Sequence, residues 1–386
     1  MKKLGERFGI SQNVFVMGLV SFFNDTATEM IYPILPIFLT SVLGAPVTIL
    51  GLIEGFAEGV ASLLKVVSGW LSDRLGERKP IVVVGYSLSM FSKLLFGVAY
   101  SWQMVLTARS LDRSGKGLRT PARDVLITAS SDHRRGRAFG FHRGMDRLGA
   151  VIGPLLALFL LPLLGNNMRM LFFIAFIPGL IGLFLLVVFV CEVKVAAPSI
   201  PRPHVALGGF GRPFLVFLLI SALFSLGNSS SAFLLLRARQ FGGSLEWIIL
   251  LYVTLNLAHS LGSFPAGIMS DYLGAKNVLR VSFLLFAVVY ALFGFIHQGF
   301  WLWILFPLYG FYMALADGIG RAYVAQLVPP ARLGMAYGIY QITIGICVFV
   351  ASLMAGMLWT YLDSSAAFIY GSIMAALAAL MFILFD

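Results

Sequence analysis

Apolar runs alternate with short polar connections along this chain, a pattern typical of membrane-spanning helices. A helix needs about 20 mostly apolar residues to cross the hydrocarbon core of a bilayer. Twelve such runs occur, at 13–40, 49–72, 80–100, 102–128, 138–163, 168–190, 213–236, 245–270, 277–296, 300–325, 335–361 and 365–385. We therefore predict an all-α integral membrane protein with six helices in domain 1–190 and six in domain 213–386. The Pro- and Gly-containing stretch 191–212 is predicted to be a cytoplasmic linker.

One loop sequence occurs twice. Gly69-Trp-Leu-Ser-Asp73-Arg-Leu-Gly76 and Gly267-Ile-Met-Ser-Asp271-Tyr-Leu-Gly274 each join two apolar runs and begin 198 residues apart (267 − 69). Four further matches share that offset: Gly136, Ala138, Gly140 and Arg123 with Gly334, Ala336, Gly338 and Arg321. Two related halves in a membrane protein are typical of transporters whose site lies between the repeats.

Charge is scarce and unevenly distributed. Charged residues make up 12% of the chain, against roughly 25% in soluble domains, and mean hydropathy is +0.91. Much of the net charge of +11 lies in segments that alternate with nearly uncharged ones: Arg74/Arg78/Lys79, Arg134/Arg135/Arg137, Lys194/Arg202/Arg212 and Lys276/Arg280. By the positive-inside rule, these segments and both termini are predicted to be cytoplasmic. This distribution argues against nucleic-acid binding and predicts a multi-pass membrane protein.

The repeated loop resembles a known signature. Gly69-x-x-x-Asp73-Arg74-x-Gly76-x-Arg78-Lys79 is similar to the loop between helices 2 and 3 of the major facilitator superfamily, and 267–276 lies where that family has a weaker copy. The resemblance implies a bacterial type with 12 transmembrane helices in two six-helix bundles, helices 1, 4, 7 and 10 lining a central cavity, and alternating access. It also implies gating residues at Asp73, Arg74, Arg78, Asp124 and Asp271.

Two further motifs match the family in part. Arg109 resembles the intramembrane arginine of its Arg-x-x-Gln-Gly motif, although Asp112 stands in place of the Gln. The segment Gly149-Ala-Val-Ile-Gly153-Pro154 resembles the fifth-helix motif of proton-coupled exporters without its trailing glycine pair.

The fourth predicted helix carries a row of charges. Its members recur at three- and four-residue steps and so share one helix face: Arg109, Asp112, Arg113, Lys116, Arg119 and Arg123. A charge at the bilayer centre costs about 2.5–3.5 kcal/mol on insertion scales, so this face must meet water or protein partners. One interpretation is that Arg109, Arg113 and Lys116 bind an anionic substrate. The alternative is an internal salt-bridge network of Asp112 and acids of helices 1 and 2, with Arg119 and Arg123 in the cytoplasm. Gly115 and Gly117 are predicted to bend this helix.

Carboxylates in the first two helices are candidates for proton coupling, because a low-dielectric site favours their protonated form. Asp25 and Glu29 lie one turn apart in helix 1, ahead of Pro33 and Pro36, which are predicted to kink it. Glu58 is a further candidate. Pairing with the cations of helix 4 is the alternative.

The second half is poorer in charge. Three of its polar and aromatic residues are predicted to contact the substrate: Asn228, Tyr337 and Tyr340. Asn24 of helix 1 is predicted to join them. A cationic side facing a polar and aromatic side suits a small organic anion with an apolar body.

The sequence predicts a transporter and not an enzyme. It has no Gly-Lys-Ser/Thr phosphate loop, no metal-ligand spacing of His and Cys, and two isolated cysteines, so no cofactor or metal is expected. We predict a monomeric, proton-coupled secondary transporter. The alternatives are a multidrug/proton antiporter, an importer of metal chelates or siderophores, a passive facilitator, and a non-transporting receptor, which predicts an appended soluble domain.

Overall fold

A computed structural model of the protein describes residues 10–131, 135–193, 210–316, 319–329 and 332–385. Every regular element in these ranges is helical, which confirms the predicted all-α class. The first half contains α1 Gln12–Ile31, α2 Leu35–Ile37 with a π-helical turn Phe38–Val42, α3 Val47–Leu75, α4 Lys79–Gly97, α5 Trp102–Ala129, α6 Arg135–Leu163, α7 Met168–Ile174 and α8 Phe176–Phe189. The second half contains α9 Arg212–Gly227, α10 Ala232–Gln240, α11 Leu245–Leu273, α12 Ala275–Phe295, a 3-10 turn Gly299–Trp301, α13 Leu302–Ala316, α14 Ile319–Leu327, α15 Leu333–Tyr361 and α16 Ser364–Leu384.

Among the described residues, three of the predicted segments are interrupted helices, and the sixth is broken at Ala175 between α7 and α8. The first is broken between α1 and α2 around Pro33, as predicted from the prolines. The seventh is broken at residues 228–231, between α9 and α10. There the Ser230 hydroxyl accepts a hydrogen bond (3.3 Å) from the backbone N–H of Ala232, the first residue of α10.

Eleven candidate spans in the described ranges are long and apolar enough to cross a membrane. The fourth predicted segment, α5, is the exception. It has 28 residues, enough to span a bilayer, but its row of charges makes it less apolar than the other eleven. The physical reason is that several α5 charges are buried against other helices, as described below.

The chain divides into two compact units, Met1–Leu43 with Val60–Ser199 and Gly44–Gly59 with Ile200–Asp386. Helix α3 contributes to both: its residues up to 59 belong to the second unit and the rest to the first. The domain boundaries at 190 and 213 stay a prediction, since residues 194–209 of the predicted linker lie outside the described part of the chain.

Within the first unit, glycines bring helix backbones together at two crossings. A Cβ atom on Gly115 of α5 would collide with the Gly85 carbonyl oxygen of α4 and lie 2.6 Å from the Ser89 hydroxyl. A Cβ on Gly117 would lie 2.6 Å from the Ala61 carbonyl oxygen of α3. Helix α5 runs unbroken from 102 to 129, so these glycines do not interrupt it, and a bend at them stays a prediction. Both glycines allow close packing against neighbouring helices.

Within the second unit, the first part of α3 packs on α15 through Gly51 and Gly55. A Cβ on Gly55 would lie 2.8 Å from the Phe349 carbonyl oxygen. Beside this contact, the buried carboxylate of Glu54 accepts a hydrogen bond from the Ser230 hydroxyl (3.0 Å). The four-residue spacing of Gly51, Gly55 and Gly59 is the sequence signal for this close approach.

Candidate functional site

The charged row of α5 is graded in exposure. Arg109, Asp112 and Arg119 are buried, Arg113 is half-buried and Lys116 is exposed. The three buried charges are spaced by three and seven residues, so they follow one helix face. The predicted substrate residues therefore divide into a buried one, Arg109, and two that are more accessible, Arg113 and Lys116.

Three buried charges of the first unit meet at Asp112. Lys93 Nζ on α4 lies 2.6 Å from Asp112 Oδ1 and also donates to Thr28 Oγ1 on α1 (3.0 Å). Arg109 Nη1 lies 3.6 Å from Asp112 Oδ2, and its guanidinium stacks over the Tyr32 ring at 4.9 Å. The sequence alternative paired the α5 cations with Asp112 and with acids of helices 1 and 2. In the structure, Asp112 does contact Arg109 of α5, but its shorter contact is with Lys93 of α4.

Arg119 occupies a second buried contact between the same two helices. Its Nη1 donates to Ser89 Oγ (2.5 Å), and its guanidinium lies over the Tyr86 ring at 4.7 Å. Ser89 Oγ also donates to the Asp112 carbonyl oxygen (3.0 Å). Arg119 is therefore not a solvated side chain, because it is 4% exposed and packed against α4. Its depth relative to the membrane stays a prediction.

The candidate coupling acids of α1 lie against the glycines of α6. A Cβ on Gly149 would lie 3.2 Å from Asp25 Cβ, and a Cβ on Gly153 would lie 2.9 Å from Glu29 Cβ. Both acids are half-buried, and buried Asn24 donates from Nδ2 to Asp25 Oδ1 (3.4 Å). The partial exporter motif of α6 therefore has a local packing role, since its two glycines leave room for Asp25 and Glu29.

The predicted gating residues are only partly described. The side chains of Asp73 and Asp271 lie outside the described part of the structure. Arg74 is exposed, with its guanidinium 5.3 Å from the centroid of the Trp70 ring. Asp124 Oδ1 accepts hydrogen bonds from its neighbour Arg123, from Nε at 3.0 Å and from Nη2 at 2.9 Å.

Arg78 is anchored by a residue that the sequence did not suggest. Its side chain is buried and donates from Nη1 to the Gly76 carbonyl oxygen (2.6 Å). Glu192 Oε2 accepts from the backbone N–H groups of Arg78 (3.0 Å) and Lys79 (2.7 Å). A carboxylate at the N-terminus of α4 is favoured by the helix dipole, so Glu192 holds the loop after α3 in place.

The polar candidates of the second unit lie in three places: the break between α9 and α10, helix α15 and the first part of α3. Asn228 is half-buried in the break between α9 and α10, and Tyr337 is half-buried on α15. Tyr340 is buried and stacks on Phe217 at a centroid distance of 5.7 Å. Glu58 of α3 is half-buried and belongs to the same unit.

Lys93 is the main residue that the sequence reasoning missed. It is the only charged residue between Lys79 and the end of α4 at Gly97. A lone charge within an apolar helix is by itself a signal for a buried partner. Its partner could not be read from the sequence, because it depends on the packing of α4 on α5.

Among the described residues, no group of three or more His, Cys, Asp or Glu side chains could hold a metal ion, and Cys191 and Cys347 are free thiols. The residues of the first unit described above instead form ion pairs and hydrogen bonds that fix the buried charges.

Comparisons with known proteins place this arrangement in a family. The model of the Major Facilitator Superfamily matches residues 17–236 and 215–386. The chain is 35% identical over 378 residues to the uncharacterized MFS-type transporter MJ1317 of Methanocaldococcus jannaschii, covering 96% of this chain and 94% of that protein. It is 27% identical over 160 residues to the multidrug resistance protein MdtH of Shigella dysenteriae, covering 42% of this chain and 38% of that protein. The crystal structure of a point mutant of the nucleoside transporter NupG aligns with a TM-score of 0.80 at 14% identity, covering 96% of this chain and 99% of that one.

Proposed function

The chain belongs to the Major Facilitator Superfamily, and from this premise we propose that it is a proton-coupled secondary transporter of a small organic anion. As a member of this family it is a multi-pass membrane transporter and not an enzyme. We place it in a bacterial inner membrane as a monomer with both termini cytoplasmic. The distribution of basic segments supports this orientation.

The proposal of an anionic substrate rests on the row of charges on α5. Between residues 109 and 123 this helix face has five cations and one acid, Asp112. Half-buried Arg113 and exposed Lys116 are proposed to contact the substrate, with Arg109 beside them. Arg binds a carboxylate in a bidentate way, which gives geometric specificity as well as charge.

The remaining candidate residues are assigned to the uncharged part of the substrate and to closure of the transporter. Asn24, Asn228, Tyr337 and Tyr340 are proposed to contact the uncharged part of the substrate. Asp73, Arg74, Arg78, Asp124 and Asp271 are proposed to control closure. Export of amphipathic drugs is the second candidate function, supported by the partial match to MdtH and by the α6 glycines. A thermal-shift screen of the purified protein against drugs, carboxylates, phosphates and iron chelates separates these substrate classes.

Replacing Arg113 with alanine is expected to weaken binding of the anion found in that screen about 10- to 100-fold, the equivalent of roughly 1.5–3 kcal/mol for a hydrogen bond to a charged group. Arg113→Lys should recover only part of the affinity, because the bidentate contact is lost. The measurement is isothermal titration calorimetry in detergent. Arg239→Ala, at an exposed cation of α10, is the matched control and should bind as the unmodified protein does. Equal binding by Arg113→Ala would reject the proposed site.

Neutralising the coupling acid is expected to abolish accumulation driven by a proton gradient and to spare substrate exchange at equilibrium, which needs no net proton movement. Asp25→Asn and Glu29→Gln are the variants, and uptake into proteoliposomes with and without a pH gradient is the measurement. If both variants retain gradient-driven accumulation, coupling lies at Glu58 or at Asp317, which is outside the described residues, or the protein is a facilitator.

A further inference from the structure

Lys93 is a buried charge on α4 to which the proposed function gives no role. The side chain is 1% exposed, and the ammonium group of a lysine has three N–H donors. Three acceptors lie within 3.5 Å of its Nζ: Asp112 Oδ1 at 2.6 Å, Thr28 Oγ1 at 3.0 Å and Ser92 Oγ at 3.5 Å. These contacts use the donors of the ammonium group, so Lys93 is suited to holding another side chain and not to binding a substrate itself.

Asp112, the partner of Lys93, is the only acid in the α5 row, and it lies among cations that are proposed to bind the substrate. Arg109 Nη1 lies 3.6 Å from Asp112 Oδ2, which is beyond hydrogen-bond distance. Arg113, the next residue of the chain, also interacts electrostatically with the Asp112 carboxylate. Asp112 has the same sign of charge as an anionic substrate, so it competes with the substrate for both arginines unless its charge is compensated.

The distances show that Lys93, and not Arg109, is the cation that holds Asp112. The contact of Lys93 with the carboxylate is a short, charge-assisted hydrogen bond of 2.6 Å, whereas the contact of Arg109 is 3.6 Å long. Both groups of the shorter pair are buried, so salt and water screen it little. Ser89 of α4 adds a hydrogen bond from its Oγ to the Asp112 carbonyl oxygen (3.0 Å). Helix α4 therefore holds Asp112 by its side chain and by its backbone.

We propose that Lys93 is a positioning residue of the substrate site: it neutralises Asp112 and holds it against α4, so that Arg109 and Arg113 receive the anionic group of the substrate. This proposal rests on the proposed function and deepens it, because it explains how a row of cations that includes an acid binds an anion. The charges of Lys93 and Asp112 cancel. Removing Lys93 alone leaves a negative charge beside the two arginines, and removing both charges restores neutrality.

The test measures the affinity for benzoate, a simple carboxylate with an apolar body, by isothermal titration calorimetry in detergent. Lys93→Met should weaken benzoate binding about 10-fold or more, because the charge of Asp112 is no longer compensated. Adding Asp112→Asn to Lys93→Met should return the affinity to within about threefold of the unmodified protein, because the pair is again neutral. Lys79→Met is the matched control. It removes a cation from a solvent-exposed position on the same helix and should bind benzoate as the unmodified protein does.

Affinity and stability should respond differently in the double variant, which separates this role from a purely structural one. Buried Arg109 also loses its carboxylate neighbour there, so stability should recover only in part while benzoate affinity recovers. If Lys93→Met does not fold by itself, the double variant carries the test, because a lysine that contacts the substrate directly cannot be replaced in this way.

Two results would overturn the role of Lys93 alone: unchanged benzoate binding by Lys93→Met, or a double variant that binds clearly more weakly than the unmodified protein. A different result would reject the proposed function. If the unmodified protein itself does not bind benzoate, the anionic substrate with an apolar body is rejected, and the role of Lys93 with it. The two failures are therefore distinguishable by the titration of the unmodified protein.

Discussion

Replacing Lys93 with methionine is expected to lower the free energy of unfolding by about 3–5 kcal/mol, the cost of leaving one member of a buried ion pair without its partner. Methionine has nearly the length of lysine, so little volume is lost and the effect is mainly electrostatic. The ammonium now bonds Asp112 at 2.6 Å and Thr28 at 3.0 Å, with Lys93 itself 1% exposed. Without it, Asp112 keeps the longer contact to Arg109 (3.6 Å). Unfolding by SDS in mixed micelles, followed by tryptophan fluorescence, measures the change.

A second substitution separates charge from packing. Asp112→Asn in the Lys93→Met background removes the carboxylate that lost Lys93, but it also takes that carboxylate from buried Arg109 (3.6 Å), so the double variant should regain only part of the lost stability. Lys79→Met on the same helix is the matched control. Its Nζ bonds the Val187 carbonyl oxygen at a solvent-exposed position (2.9 Å), and its loss should cost less than about 1 kcal/mol. A double variant as unstable as Lys93→Met would show that the ion pair is not what stabilises this contact.

Much of the fold could be predicted from the sequence because bilayer-spanning helices follow simple rules of length and apolarity. All twelve predicted segments overlap helices, and the family resemblance drawn from the Asp73 loop is confirmed by the family model. The break at Pro33 was also predictable, since proline cannot donate to a helix interior. The break at residues 228–231 was not predicted, because serine and asparagine are tolerated in helices. Whether the helix continues through them depends on tertiary contacts that the sequence does not show.

The candidate site was less predictable, for a physical reason. The spacing of Arg109, Asp112 and Arg119 places them on one face of α5, but spacing does not tell which face is buried. Their partners, Lys93 and Ser89, lie on α4, and the register between two helices is set by where their backbones approach most closely. That point is Gly85 against Gly115. The sequence predicts loosening or bending at Gly115, and the structure shows that this glycine also lets the two helices touch.

Replacing Gly115 with valine is therefore expected to separate α4 from α5 and to destabilise the protein by about 3 kcal/mol, the upper part of the usual range for overpacking. The obstructing atoms are backbone and near-backbone: the Gly85 carbonyl oxygen, the Ser89 hydroxyl at 2.6 Å and the Ser89 nitrogen at 2.9 Å from the added Cβ. A backbone cannot rotate away as a flexible side chain can. Separation would also lengthen the contacts Lys93–Asp112 and Arg119–Ser89, which lie on either side of the crossing. Transport should fall with stability because the α5 row is no longer held in place.

The matched control for this substitution is Gly144 of α6, a helical glycine whose added Cβ would meet nothing within 4 Å. Gly144→Ala should leave stability unchanged or raise it by about 0.5–1 kcal/mol, because alanine has the higher helix propensity. Gly115→Ala should lie between the control and Gly115→Val, since one methyl group forces a smaller separation. The same SDS unfolding assay ranks the three variants. If Gly115→Val unfolds at the same SDS concentration as the unmodified protein, the close crossing of α4 and α5 does not exist in the membrane. The buried charges of α5 must then be held in some other way.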